Sequence, residues 1–233
     1  MNREEIKRIF AETGTIIIND HFVYARKADG WYHGGEYVNK DAIYPFTRFV
    51  SLLCKEIADH FWGNDIDVVV GPTVGGVILA QWTAHWYAPF AYQKEVLAVY
   101  ADEEDILQEM TGGQGTIKVG TRRILKRGYD KIVKGRRCLV VEDVINTGAT
   151  VKKTIEAIRL AGGDVVGVGA LANRSGGKVT AETVGAPELF SLLDLDMKMF
   201  KEEECSICKE KGPKSVRTDL GKGKEFLTRT GNL

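Results

Sequence analysis

Arg137-Cys138-Leu139-Val140-Val141-Glu142-Asp143-Val144-Ile145-Asn146-Thr147-Gly148-Ala149-Thr150-Val151 is the stretch from which the rest of the chain can be read. Cys138 to Val141 is a continuous apolar run. Its length and β-branched content suit a strand buried on both faces of a parallel sheet. Glu142 and Asp143 follow at the expected carboxyl end of that strand. Asn146-Thr147-Gly148-Ala149-Thr150 is small and hydroxyl-rich. Val151, Ile155 and Ile158 then repeat at helical spacing until Gly162-Gly163 stops the helix. Open α/β sheets bind ligands outside the carboxyl ends of their strands. Here that place holds two carboxylates, then a loop of backbone N–H groups opening a helix whose dipole suits a phosphate. Carboxylates do not bind phosphate directly, but they suit sugar hydroxyls or a divalent metal. A phosphorylated ribose carrying magnesium satisfies all three.

Working outward, strands and helices alternate. Ile66–Val70 is expected as a strand, Gly71-Pro72-Thr73-Val74-Gly75-Gly76 as a tight turn and Val77–Tyr87 as a helix. Val96–Tyr100, Val165–Leu171 and Leu189–Leu193 are further strands. Phe46, Phe49, Val50, Leu53, Cys54, Ile57 and Phe61 keep helical spacing. The order implies an α/β fold with a doubly wound, mostly parallel sheet. Turn signals at Asp29-Gly30 and Gly34-Gly35 make Ile16–Val38 a small antiparallel unit. Residues Ala101–Gly120 lack periodicity and read as a loop or hairpin. Gly112-Gly113-Gln114-Gly115 is not a Walker loop, since no Gly-Lys-Ser/Thr follows. Arg122–Lys134 is basic. From Lys201 the chain is a charged tail, expected on the surface.

The chain has 233 residues, and its 32 Lys+Arg balance its 32 Asp+Glu, which argues against a nucleic-acid partner. No apolar run is long enough to span a bilayer and the N-terminus is no signal peptide, so the expectation is a cytoplasmic protein without a membrane partner. Cys54 and Cys138 sit at core positions and read as inert thiols. Cys205-Ser-Ile-Cys208 has metal-ligand spacing, but zinc needs about four ligands. No second pair exists, and His21, His33, His60 and His85 show no compelling pairing with it. The expectation is two surface thiols in a turn and no protein metal site, the alternative being a half-site completed across a dimer.

Four apolar residues, two acids, two variable residues and Thr-Gly-x-Thr resemble the 5-phosphoribosyl-1-diphosphate (PRPP) signature of the type I phosphoribosyltransferases. Among these the chain is most similar to the orotate enzymes, from about Tyr37 to Gly177. The resemblance implies residues 46–200 as the phosphoribosyltransferase core, a small hood from residues 1–45, and residues 201–233 as the tail. It implies displacement of diphosphate from PRPP by a nucleobase, with Mg2+ as cofactor and a homodimer as the assembly. Glu142 and Asp143 would hold the ribose, and Asn146, Thr147, Gly148, Ala149 and Thr150 the 5-phosphate. Thr73, Val74, Gly75 and Gly76, with Lys40, would hold the diphosphate. Arg174, in Asn173-Arg174-Ser175-Gly176-Gly177, and Tyr37 would meet the base. Lys126, Arg127 and Lys131 would cover the leaving diphosphate from a mobile loop. In that loop Gly128-Tyr129 interrupts the family pattern and the usual histidine is missing. Tyr37-Val38 also replaces an aromatic pair. The acceptor the resemblance implies is orotate, giving orotidine 5-phosphate; the alternatives are a purine or another base, or, from another class, a non-catalytic PRPP-binding regulator.

Overall fold

The structure is a computed structural model that describes residues 1–27, 29–87, 95–109 and 115–232. In chain order, α1 (Arg3–Glu12) precedes four short strands, β1 (Ile16–Ile17), β2 (Phe22–Val23), β3 (Tyr32–Gly34) and β4 (Tyr37–Val38). Then come α2 (Thr47–His60), β5 (Val68–Pro72), α3 (Gly75–Tyr87), β6 (Leu97–Glu109), β7 (Thr116–Ile124) and α4 (Tyr129–Val133). These are followed by β8 (Arg137–Ile145), α5 (Ala149–Leu160), β9 (Asp164–Asn173), α6 (Ala181–Val184) and β10 (Leu189–Asp194). The chain closes with β11 (Phe200–Lys201), α7 (Ser206–Lys211) and α8 (Gly223–Thr230).

Two compact units form, Met1–Ile6 with Thr47–Leu195, and Lys7–Phe46 with Asp196–Leu233. The first holds a six-stranded sheet in the order β10-β9-β8-β5-β6-β7, parallel except for the β6–β7 pair. Val68, Val70, Val140 and Val168 from its central strands meet Val151, Ile155 and Ile158 of α5 in one apolar core. This is the doubly wound architecture expected from the alternating pattern. From β5 the chain crosses through α3 to β6 on one side, whereas β8, β9 and β10 extend on the other. The direction of winding therefore reverses between β5 and β8, where such sheets leave a crevice at the strands' carboxyl ends. Cys54 and Cys138 are buried, and burial pushes both thiols up to about 12, as inert core positions require.

The region 101–120 resolves the choice between loop and hairpin. β6 and β7 are long strands paired antiparallel from Asp102↔Ile124 to Glu109↔Thr116. Residues 112–114 of the Gly-rich run lie outside the described residues.

The second unit corrects the reading of residues 201–233 as a surface tail. β11 pairs with β3, and Val216, Phe226 and Leu227 bury against Val23. Three apolar side chains scattered among many charges were enough to draw the segment into the core that the early strands begin. Cys205 is only 1% exposed, so it is no surface thiol. His21 and His33, which the sequence left unpaired with the cysteines, lie against Cys205 and Cys208.

Candidate active site

β5, β8 and β9 are neighbours and parallel, so the segments that follow them emerge at one edge of the sheet, around the switch point. After β8 comes the 146–150 loop. Gly148 has φ +75° and caps α5 at its N-terminus without a side chain of its own, and the Ala149 N–H reaches Thr147 Oγ1 at 3.4 Å. The first-turn N–H groups of a helix have no intrahelical acceptor, so this end of α5 presents donors and positive dipole. A cavity of about 70 Å³ lies here, walled by the 146–150 loop and by Glu142. Glu142 and Asp143 are 7% and 3% exposed. Both lie inside β8, which runs on to Ile145, rather than at its end. Glu142 Oε1 accepts the Asp143 N–H at 3.0 Å, and Asp143 Oδ1 accepts the Val144 N–H at 2.6 Å, which holds the carboxylates in place.

Gly148 is constrained from the core side of the loop. A Cβ there would meet Val179 and Val184 side chains at 2.9 Å, so the residue is required by the core beneath the loop.

After β5 the turn is tight enough to exclude side chains from two of its positions. A Cβ on Gly71 would lie 1.9 Å from the Gly76 carbonyl oxygen, and one on Gly76 2.6 Å from Pro72. Gly75 and Gly76 open α3, again offering first-turn amides. Val74 is 79% exposed at the apex. Thr73 differs from the expectation that all four residues aim amides at an anion. Its N–H donates to the Ala101 carbonyl at 3.0 Å. Its own carbonyl and Oγ1 accept from Arg123 Nη1 at 3.2 and 2.9 Å. Arg123 also lies 3.5 Å from Glu103 and is 8% exposed. The sequence placed Arg123 in the basic stretch but gave it no role. Its partner lies fifty residues earlier in the chain, and no local pattern signals that.

Arg174 directly follows β9, and its N–H donates to the Ile145 carbonyl at 2.8 Å, which sets it beside the 146–150 loop. Asn173 shapes the turn that follows, donating to the Val179 carbonyl at 3.0 Å and accepting the Ser175 N–H at 3.1 Å. The Arg174 Nε is buried and has no hydrogen-bond partner among the described residues.

The basic residues are spread over a strand, the turn at 126–128 and a helix. Arg122 and Arg123 belong to β7, directly opposite Glu104 and Glu103 of β6. Lys126 lies 3.6 Å from Glu104, and Arg127 donates to Asp102 at 2.5 Å with its guanidinium over the Tyr100 ring. Lys131 is exposed on α4. Tyr37 and Lys40 belong to the second unit, where Tyr37 stacks on Phe22 with ring centroids 5.0 Å apart. The first unit's geometry assigns them no role.

Residues 41–184 match the phosphoribosyl transferase domain family. The chain belongs to this family. It is 35% identical over 210 residues to the orotate phosphoribosyltransferase of Caldanaerobacter subterraneus subsp. tengcongensis, covering 90% of this chain and 94% of that one. It is 33% identical over 205 residues to the orotate phosphoribosyltransferase of Thermotoga petrophila, covering 88% and 92%. Among solved structures, the fold is shared with Mycobacterium tuberculosis orotate phosphoribosyltransferase in complex with PRPP. That match has TM-score 0.53 and 20% identity over 83% of this chain and 96% of that one. The adenine phosphoribosyltransferase of Thermoanaerobacter pseudethanolicus gives TM-score 0.57 and 16% identity over 83% and 100%. No helix among the described residues is long and apolar enough to cross a membrane.

Proposed function

We propose that this chain transfers the 5-phosphoribosyl group of PRPP to orotate, giving orotidine 5-phosphate and diphosphate. The observation that carries the reading is the 146–150 loop, a glycine-capped α5 start that shares one cavity with the Glu142 carboxylate. Curated relatives named orotate phosphoribosyltransferase, matched over about nine-tenths of the chain, support the choice of acceptor.

On this reading Asn146, Thr147, Gly148, Ala149 and Thr150 hold the 5-phosphate through backbone N–H groups and the helix dipole. Glu142 and Asp143 accept hydrogen bonds from the ribose hydroxyls. Val74, Gly75 and Gly76 take the diphosphate, while Thr73 and Arg123 hold that turn in shape. Arg174 offers a planar guanidinium that grips orotate's carboxylate in two places. The base nitrogen then bonds to the ribose anomeric carbon as the bond to diphosphate breaks, through an oxocarbenium-like state. Lys126, Arg127 and Lys131 neutralise the departing charge, the first two exchanging Glu104 and Asp102 for the diphosphate. Glu142 and Asp143 offer the hard anionic oxygens that suit hydrated Mg2+, which when bound would neutralise charge on the diphosphate. A cytoplasmic homodimer goes with this reading, on the family resemblance.

The deciding experiment measures diphosphate release from PRPP and Mg2+ with orotate, uracil, adenine and hypoxanthine in turn. Release with orotate alone is expected. Release with a purine and none with orotate would reassign the acceptor. Tight PRPP binding with no release for any base would make the chain a regulator.

A further inference from the structure

We propose that the second unit carries a structural zinc site formed by His21, His33, Cys205 and Cys208. The four donor atoms lie within 4.8 Å of one another. His21 Nε2 is 3.1 Å from His33 Nδ1, 3.5 Å from Cys205 Sγ and 3.6 Å from Cys208 Sγ, and Cys208 Sγ is 3.4 Å from His33 Nδ1. With Zn–N of about 2.0–2.1 Å and Zn–S of about 2.3 Å, a tetrahedron has N–N edges of about 3.4 Å and N–S edges of about 3.6 Å. Those four of the six donor pairs lie within about 0.3 Å of these edges, and the other two lie within 4.8 Å.

A hydrogen bond at His21 and a carboxylate near His33 indicate which ring nitrogens face inward as acceptors. Ser215 Oγ donates to the Gly212 carbonyl at 2.6 Å, so it must accept from His21 Nδ1, 2.7 Å away. His21 Nδ1 therefore carries the proton and Nε2 turns a lone pair inward. His33 Nε2 lies 3.5 Å from the Glu202 carboxylate, which can only accept, and this favours the tautomer with a lone pair on Nδ1. Glu202 is itself held by Arg229 at 3.0 and 2.5 Å. Two lone pairs thus face each other at 3.1 Å, with a sulfur beside each. The Ser215 oxygen on His21 Nδ1, and the Glu202 carboxylate 3.5 Å from His33 Nε2, stand where the supporting shell of histidine ligands stands.

Binding would deprotonate both thiols, releasing two protons and leaving a site of zero net charge, which suits its burial. A buried N2S2 set of this shape selects zinc over the hard cations. The ion would tie His21, just before β2, and His33, in β3, to the start of α7, joining the unit's two chain segments. A unit whose apolar cluster is this small gains most from such a staple.

The test is elemental analysis of the full chain purified without added metal, followed by the same chain stripped and titrated with Zn2+ and Co2+. About one zinc per chain is expected, together with thiolate-to-cobalt charge-transfer absorption in the Co2+ form. Cys208→Ser should lower bound zinc at least tenfold, while Cys54→Ser, a buried thiol of the other unit, should keep it. If Cys208→Ser does not fold, the wild-type Co2+ spectrum still decides. Wild-type protein without zinc and without cobalt–thiolate bands would overturn the proposal, and so would a full complement of zinc in Cys208→Ser. None of these readouts depends on phosphoribosyl transfer.

Discussion

At the scale of single residues, the PRPP half and the base half of the site are separable. Glu142 walls the cavity at the 146–150 loop, so on the proposed reading Glu142→Gln should weaken PRPP binding by about 1.5–3 kcal/mol, the worth of a hydrogen bond to a charged group. Asp143→Asn should cost a similar amount of affinity, while the amide oxygen keeps the Val144 N–H bond and the fold survives. Calorimetry with PRPP and magnesium checks both, and unchanged affinity in the pair would remove the ribose assignment. Arg174→Ala should leave PRPP binding nearly intact but raise the orotate KM and lower kcat/KM strongly. Arg174→Lys should rescue only part, because an ammonium cannot make two parallel bonds. Gly148 belongs to a different class of effect. Its positive φ and the 2.9 Å approach to Val179 and Val184 mean that even Gly148→Ala should lower stability, by about 1–3 kcal/mol. Thermal unfolding without ligand separates this from a block on phosphate, which would leave the Tm unchanged.

At the scale of elements, what could be read from the sequence follows from how strongly each segment is buried. β8 and α5 announce themselves because an apolar strand and a helical stripe are both driven into one core. That β8 continues through Glu142 and Asp143 was not legible, since two buried acids look like the end of a strand until their backbone partners are known. The β6–β7 arm was harder still. The few apolar side chains of its outer part, Ile106, Leu107, Ile117 and Val119, are exposed and mixed with charges, so no stripe facing a core marks it. What pairs it is Glu103 against Arg123 and Glu104 against Arg122, across about twenty residues of chain. Arg123 converts that arm into a support for the β5 turn. Arg123→Ala should loosen the turn, raising the PRPP KM more than the orotate KM, whereas Arg122→Ala, an exposed ion pair, should cost about 0–1 kcal/mol of stability and little activity. Steady-state kinetics of the two variants side by side tests this, and equal effects would deny Arg123 its special place.

At the scale of the whole molecule, the chain closes the second unit with its last segment rather than ending in a free tail. Val23 of the early strands has Val216, Phe226 and Leu227 as its buried neighbours, and β3 has β11 along one edge. A short strand of two or three residues has little stability alone, so β2 and β3 depend on partners supplied almost two hundred residues later. Removing residues 201–233 should therefore unfold the segment 16–38, although no residue of it is deleted. Hydrogen exchange locates the effect. In the truncated chain the amides of β2 and β3 should lose protection, while those of β5, β8 and β9, packed in the other unit's core, should keep it. Unchanged protection at Val23 and His33 would mean that the early strands stand alone and that the last segment is the appendage its charge suggests. Loss of protection throughout β8 would mean instead that the two units unfold as one.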